Sequence, residues 1–184
     1  MISQPAMKLT LLRIALIPLF VFFYYIHPES WGQWLALIAY ALACITDYFD
    51  GYLARKLGEV SAFGAFLDPV ADKLMVCAVL IIVLQHYPES WLMVCTLIII
   101  GREVWISALR EWMSSIGQRD IVAVAKVGKW KTTTQMLALG FLIYRKPFIG
   151  LPIWHIGQVL LIIAALLTLS SMIAYTKGAW QQLK

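Results

Sequence analysis

Four aspartates stand close together in an otherwise apolar sequence, as Asp47-Tyr-Phe-Asp50-Gly51-Tyr-Leu-Ala54-Arg55, then eight residues to Gly64, then Asp68 and Asp72. At 3.6 residues per turn, Asp47 and Asp50 share a helical face with Gly51, Ala54 and Arg55. Asp68 and Asp72, four apart, share a face of a second helix. Two such helices facing each other bring four carboxylates together. Carboxylates that close repel, and near a membrane they are costly unless cations bind between them, so the cluster points to metal. All-oxygen ligands favour a hard cation, Mg²⁺ or Mn²⁺, over zinc. Gly51, Ala54 and Gly64 remove bulk beside the carboxylates, so a ligand or a neighbouring backbone can come close, and Arg55 offers a fork for phosphate. A pyrophosphate bridged by metal suits such a site.

A second group of charges follows: Arg102-Glu103, then Ser107-Ala-Leu-Arg110-Glu111-Trp112, then Lys126, Lys129, Lys131 and Thr132-Thr133-Thr134. Arg110, Lys129 and Lys131 can form a cationic pocket, with the Thr132 hydroxyl and the free N–H groups of a helix start completing an anion site. A phosphate-bearing acceptor fits it. Basic residues at helix ends also answer the needs of membrane topology, where lysines snorkel to the interface. Glu103 and Arg110, seven apart, are too distant for direct contact, with Ser107 between them to relay or to pack. Arg119 and Lys126 read as solvated charge.

These charges must be positioned by apolar elements. The chain has 184 residues, 61% of them hydrophobic, and a mean hydropathy of +0.78, far outside the usual range for soluble domains. It reads as one domain over residues 1–184, all-α and polytopic in a membrane. Spanning a bilayer takes about 20 apolar residues, and six stretches approach this: roughly 9–27, 33–55, 65–86, 91–113, 130–145 and 152–175. Six transmembrane helices are expected, preceded by a short interfacial segment that includes Pro5. The first apolar run lacks a small-residue cleavage site and reads as a retained helix. Cys44, Cys77 and Cys95 lie in apolar stretches without metal or disulfide spacing and read as packing residues. The net charge of +5 points to anionic lipid headgroups and not to nucleic acid.

An even number of spans puts both termini on one side. Placing them in the cytoplasm leaves thirteen of the fifteen Lys and Arg residues inside, with only Arg145 and Lys146 outside, as the positive-inside rule requires. His27-Pro-Glu-Ser30-Trp31 and His86-Tyr-Pro-Glu-Ser90-Trp91 then fall at external turns, where proline breaks the helix, serine caps the next and tryptophan anchors at the interface. The aspartates, late in the second helix and early in the third, face the cytoplasm, within reach of a water-soluble nucleotide. The linker at 56–63 is short, making those two helices antiparallel neighbours. Pro69 is expected in the first turns of the third helix, where its missing N–H costs little.

The pattern Asp-x2-Asp-Gly-x2-Ala-Arg-x8-Gly-x3-Asp-x3-Asp, met at Asp47, Asp50, Gly51, Ala54, Arg55, Gly64, Asp68 and Asp72, resembles the signature of the CDP-alcohol phosphotransferases. The resemblance implies that the first three aspartates hold a centre of two Mg²⁺ or Mn²⁺ ions. It further implies that Asp72 acts as base toward the acceptor hydroxyl, with a share in the metal centre, and that Gly51, Ala54, Arg55 and Gly64 accommodate the nucleotide. Arg-Glu-x3-Ser-Ala-Leu-Arg-Glu and Gly128-Lys129-Trp-Lys131-Thr132-Thr133 are similar to the bacterial phosphatidylglycerophosphate synthases within that family. That similarity implies CDP-diacylglycerol as donor, glycerol 3-phosphate as acceptor, a bacterial inner-membrane location with the active site facing the cytoplasm, and a homodimer. Arg110 and Lys131 then hold the acceptor phosphate. Other acceptors, inositol phosphate or serine, would change only the residues around Arg110 and Lys131. A cation transporter would place its carboxylates near the bilayer midplane with polar access from both sides, whereas these crowd one face.

Overall fold

The computed structural model describes residues 5–26, 31–57, 62–117 and 127–181, with side chains throughout except at 5–7, 48, 50–57, 62–63, 65 and 127–130. Six helices account for nearly all of it: α1 (Pro5–Ile26), α2 (Trp31–Leu57), α3 (Ala62–His86), α4 (Ser90–Ser115), α5 (Val127–Tyr144) and α6 (Ile153–Gln181). Each covers one apolar stretch of the sequence with ends within three residues, except that α1 begins four residues earlier and α6 ends six residues later. Pro5 opens α1 itself, where its missing N–H is one of the donors a helix start leaves unpaired in any case. Pro69 departs from expectation. It is the eighth residue of α3, past the first turn, and it removes the hydrogen bond its N–H would give to the Ala65 carbonyl, yet the helix continues to His86. Ser90 is the first residue of α4, and Glu89 takes the cap position in an extended conformation with no side-chain cap bond. The Glu89 carboxylate instead accepts from the Trp91 indole N–H.

Three described helical segments are long and apolar enough to cross a membrane: Lys8–Ile26, Ser90–Ser115 and Ile153–Gln181. Large apolar side chains face outward along them, including Leu19 and Phe22 on α1, Leu97 and Val104 on α4, and Leu166 on α6. Water-soluble monomers rarely carry apolar surface on this scale, and lipid accepts it. The three cysteines are free thiols, Cys95 buried and the other two half-buried, as packing residues would be.

The chain forms two units. In the first, Met1–Val83 with Ile143–Lys146, α1 packs along α2. Bulky Leu16, Phe20 and Tyr24 are buried on α1, and Ala36, Ala39, Tyr40 and Ala43 on α2, where the three alanines let a neighbouring helix approach closely. Gln33 is buried in α2 and donates Nε2 to the Ile143 carbonyl at 2.8 Å and also to that of Tyr144. These are last-turn carbonyls of α5, which have no partner within their own helix. Arg145 lies over the Tyr24 ring, 5.4 Å from its centroid.

In the second unit, Leu84–Leu142 with Pro147–Lys184, α4 packs on α6. Ile106, Leu109 and Met113 meet Ala179, with Met172 and Tyr175 against them. Gly157 of α6 is a close-contact glycine, since a Cβ there would stand 3.1 Å from Phe141 Cβ and 3.2 Å from Leu142 Cγ. The loop between α5 and α6 folds on a tight Phe148–Leu151 bridge.

Candidate active site

The buried stripe of α1 does not begin as it ends. Before Leu16 it carries Thr10 and Arg13, three residues apart on the same face and each only 1% exposed. A charge so buried requires a counter-charge, and two carboxylates supply it. Arg13 Nη1 lies 2.6 Å from Asp72 Oδ1 and 3.1 Å from Asp47 Oδ1. One turn earlier, Thr10 Oγ1 donates to Asp68 Oδ1 at 2.6 Å. Three signature aspartates, one from α2 and two from α3, are thus gathered by polar groups of α1. The sequence pointed to two facing helices; the third partner is what draws the carboxylates together.

Exposure gives the cluster a direction. The Asp47 and Asp72 side chains are 35% and 38% exposed, whereas that of Arg13 is 1% exposed, so the cation is sealed in and the carboxylates open outward. Among the described side chains, the Arg13 guanidinium faces Asp47 and Asp72, with Asp68 held by Thr10. In each contact Oδ1 is the engaged oxygen, which leaves the second oxygen as a donor for a cation. Among the described residues the carboxylates do not by themselves close a three-ligand cage; Asp50, the remaining signature carboxylate, lies outside the described side chains. The donor chemistry, anionic oxygen throughout, fits a hard divalent cation. The side chains of Ala54 and Arg55, and Gly51 with them, also lie outside the described set. Gly64 is in α3, partly buried, one turn before Asp68.

The second group of charges lies in the other unit. Lys131, 4% exposed, places Nζ 3.3 Å from Glu103 Oε1. Arg102 Nη1 lies 2.8 Å from the same oxygen. The Ser107 hydroxyl donates to the Glu103 backbone carbonyl at 2.7 Å, a local bond one turn back along α4. Lys131 is therefore a buried cation held by a carboxylate. Arg110 and Thr132 are exposed, no ion pair among the described residues joins Arg110 to this cluster, and Lys129 lies outside the described side chains. Arg102 takes the place beside Glu103 that the sequence reading gave to no basic residue.

Sequence reasoning missed Thr10 and Arg13 as parts of the site, treating Arg13 only as a positive charge on the inner side. A signal was present: an arginine within an apolar helical run, three residues after a threonine, is a candidate functional residue on energetic grounds alone, because lipid tolerates it only with a partner.

The family model for CDP-alcohol phosphatidyltransferase matches residues 4–170. The chain belongs to this family. Among its relatives, the CDP-diacylglycerol--glycerol-3-phosphate 3-phosphatidyltransferases of Shigella flexneri serotype 5b and Escherichia coli K12 are each 45% identical over 173 residues, covering 93% of this chain and 92% of theirs. The protein of the same name from Shigella boydii serotype 4 is similar to the same extent. CDP-alcohol phosphatidyltransferases are in general divalent-metal dependent, which agrees with the all-oxygen donor set of Asp47, Asp68 and Asp72.

Proposed function

We propose that this protein transfers the phosphatidyl group of CDP-diacylglycerol to glycerol 3-phosphate, giving phosphatidylglycerophosphate and CMP. The observation that carries the reading is the convergence of Asp47 and Asp72 on Arg13, beside Asp68 on Thr10, within a chain that belongs to this family. The names of the relatives supply the donor and the acceptor.

Asp47, Asp50 and Asp68, with Asp72, would hold two divalent ions, Mg²⁺ or Mn²⁺. When bound, such ions supply charge neutralisation at the pyrophosphate and stabilise the CMP leaving group. The protein's own residues do the rest. Arg13 and Thr10 fix one oxygen each of Asp47, Asp72 and Asp68, so the carboxylates are oriented before substrate arrives. Asp72 takes the proton of the acceptor 1-hydroxyl through its other oxygen. The alkoxide oxygen bonds the lipid-bearing phosphorus as the bond from that phosphorus to the CMP oxygen breaks, and the electron pair leaves with CMP. Gly51, Ala54, Arg55 and Gly64 accommodate the nucleotide. Arg110, Lys129, Lys131 and Thr132 bind the acceptor phosphate, with Glu103 holding Lys131 in a fixed position.

The surrounding assignments belong to the same reading: one domain of six spans, embedded in a bacterial inner membrane as a homodimer, with both termini and the aspartates on the cytoplasmic side. Support comes from the family match, which runs through both units, and from the distribution of Lys and Arg along the sequence.

CMP release by the purified protein in detergent with CDP-diacylglycerol and Mg²⁺, with and without glycerol 3-phosphate and beside Asp72→Asn, tests this. Release that needs glycerol 3-phosphate and disappears in the variant is expected. Release restored by serine or inositol phosphate in its place would refute the acceptor; no release with any alcohol would refute the activity.

A further inference from the structure

Within the second unit, a groove of about 510 Å³ runs between α4 and α6, in the size range of sites that hold small organic ligands, about 300–1,000 Å³. Its composition is graded along its length. Leu97 and Ile98 of α4 and Leu169 and Ile173 of α6 line one end; Arg102 and Lys177 line the other. Gly101 forms open floor, since a Cβ built there would meet no atom within 4 Å. The depth of the charged end follows from neighbouring contacts. Trp105 Nε1 donates to Thr176 Oγ1 at 2.9 Å, so Arg102 and Trp105 lie level with the late turns of α6, where Lys177 is exposed. A tryptophan and a lysine at the same level near the end of an apolar helix mark a membrane interface.

We infer that this groove binds one anionic glycerophospholipid of the surrounding bilayer, its phosphate between Arg102 and Lys177 and one acyl chain along the apolar end. Arg102 spends Nη1 on Glu103 and lines the groove with a side chain that is 11% exposed. Of the five donors a guanidinium carries, others therefore remain for a phosphate oxygen. Lys177 adds the second cation. A zwitterionic lipid brings its own ammonium to this rim and loses the advantage, so the site prefers phosphatidylglycerol to phosphatidylcholine. A second copy of the chain would have to bring a carboxylate to the rim, whereas the bilayer supplies phosphate at this depth. The inference needs the membrane setting and not the proposed reaction.

Native mass spectrometry of the full chain released from detergent tests it, with phosphatidylglycerol and phosphatidylcholine supplied in equal amounts and EDTA present so that retention through bound metal is removed. One phosphatidylglycerol per chain is expected to persist. Lys177→Gln should lower the preference for phosphatidylglycerol about fivefold, the effect of one interfacial cation. Gly101→Leu, whose side chain fills the floor, should abolish retention of either lipid. Equal retention of both lipids, or retention untouched by both variants, overturns the inference. Conversion of a dimer to a monomer by Gly101→Leu with the lipid count unchanged would assign the groove to a second copy instead. Lys177 is an exposed side chain whose removal leaves the fold intact, so that arm stands even if Gly101→Leu does not fold.

Discussion

Arg13→Gln is the sharpest test of how the aspartates are assembled. Arg13 Nη1 makes two charge-assisted contacts, at 2.6 Å to Asp72 and 3.1 Å to Asp47. Such contacts contribute about 1.5–3 kcal/mol each. Because the acceptors are 35% and 38% exposed, solvent screens them and the lower end applies, about 3 kcal/mol for the pair. For a chain of this size that is a fall in Tm of about 6–12 °C, read by thermal unfolding in detergent with EDTA. The same substitution removes a positive charge from beside the proposed metal ligands. The Mg²⁺ concentration that half-restores stability should therefore drop by about tenfold, on the order of 1–2 kcal/mol of relieved repulsion. CMP release should fall although Mg²⁺ binds better, because Asp72 has lost its anchor. Arg13→Lys keeps the charge but ends in an ammonium on a different stem, which does not place its nitrogen where Arg13 Nη1 meets both carboxylates, and should lie between wild type and Arg13→Gln in stability while keeping wild-type Mg²⁺ dependence. An Arg13→Gln protein with unchanged Tm in EDTA and an unchanged Mg²⁺ midpoint would refute Arg13 as the counter-charge of the cluster.

Other substitutions probe the remaining contacts. Thr10→Val removes the hydrogen bond to Asp68 and should cost about 1 kcal/mol, with CMP release reduced but measurable. Gly157→Ala forces a Cβ to within 3.1 Å of Phe141 Cβ, an atom fixed to its backbone, and should destabilise by about 1–3 kcal/mol in detergent melts without altering the KM for glycerol 3-phosphate. Glu103→Gln leaves buried Lys131 and Arg102 without their shared carboxylate; about 3 kcal/mol of stability should be lost, and the KM for glycerol 3-phosphate should rise while that for CDP-diacylglycerol stays within twofold. A rise confined to CDP-diacylglycerol would detach this cluster from the acceptor.

Much was legible from residue types and spacing. Six apolar stretches predicted six helices because the length that spans a bilayer is long enough to be read without an alignment, and most helix ends came within three residues. The aspartate signature stood out because clustered carboxylates in an apolar chain have few stable explanations. Local chemistry was less legible. Pro69 and Ser90 were placed by rules for isolated helix ends, and the chain overrode both: α3 continues through its proline, and α4 begins at Ser90 itself with Glu89 in the cap position.

Sequence by itself determined the set of clustered carboxylates and the hard-cation chemistry their oxygens would favour, since both depend on which residues are present and how they recur along a helix. Only the tertiary structure decided what gathers them. Thr10 and Arg13 stand far from the signature in sequence, and nothing in the spacing of Asp47, Asp68 and Asp72 requires a partner from α1. That partnership arises when α1 packs on α2 and its buried face carries a guanidinium that must find a counter-charge. The same holds for Lys131, a free basic residue in the sequence and a buried partner of Glu103 in the fold. Pairing between distant helices is set by which faces pack together, and periodicity along one helix carries no record of the other.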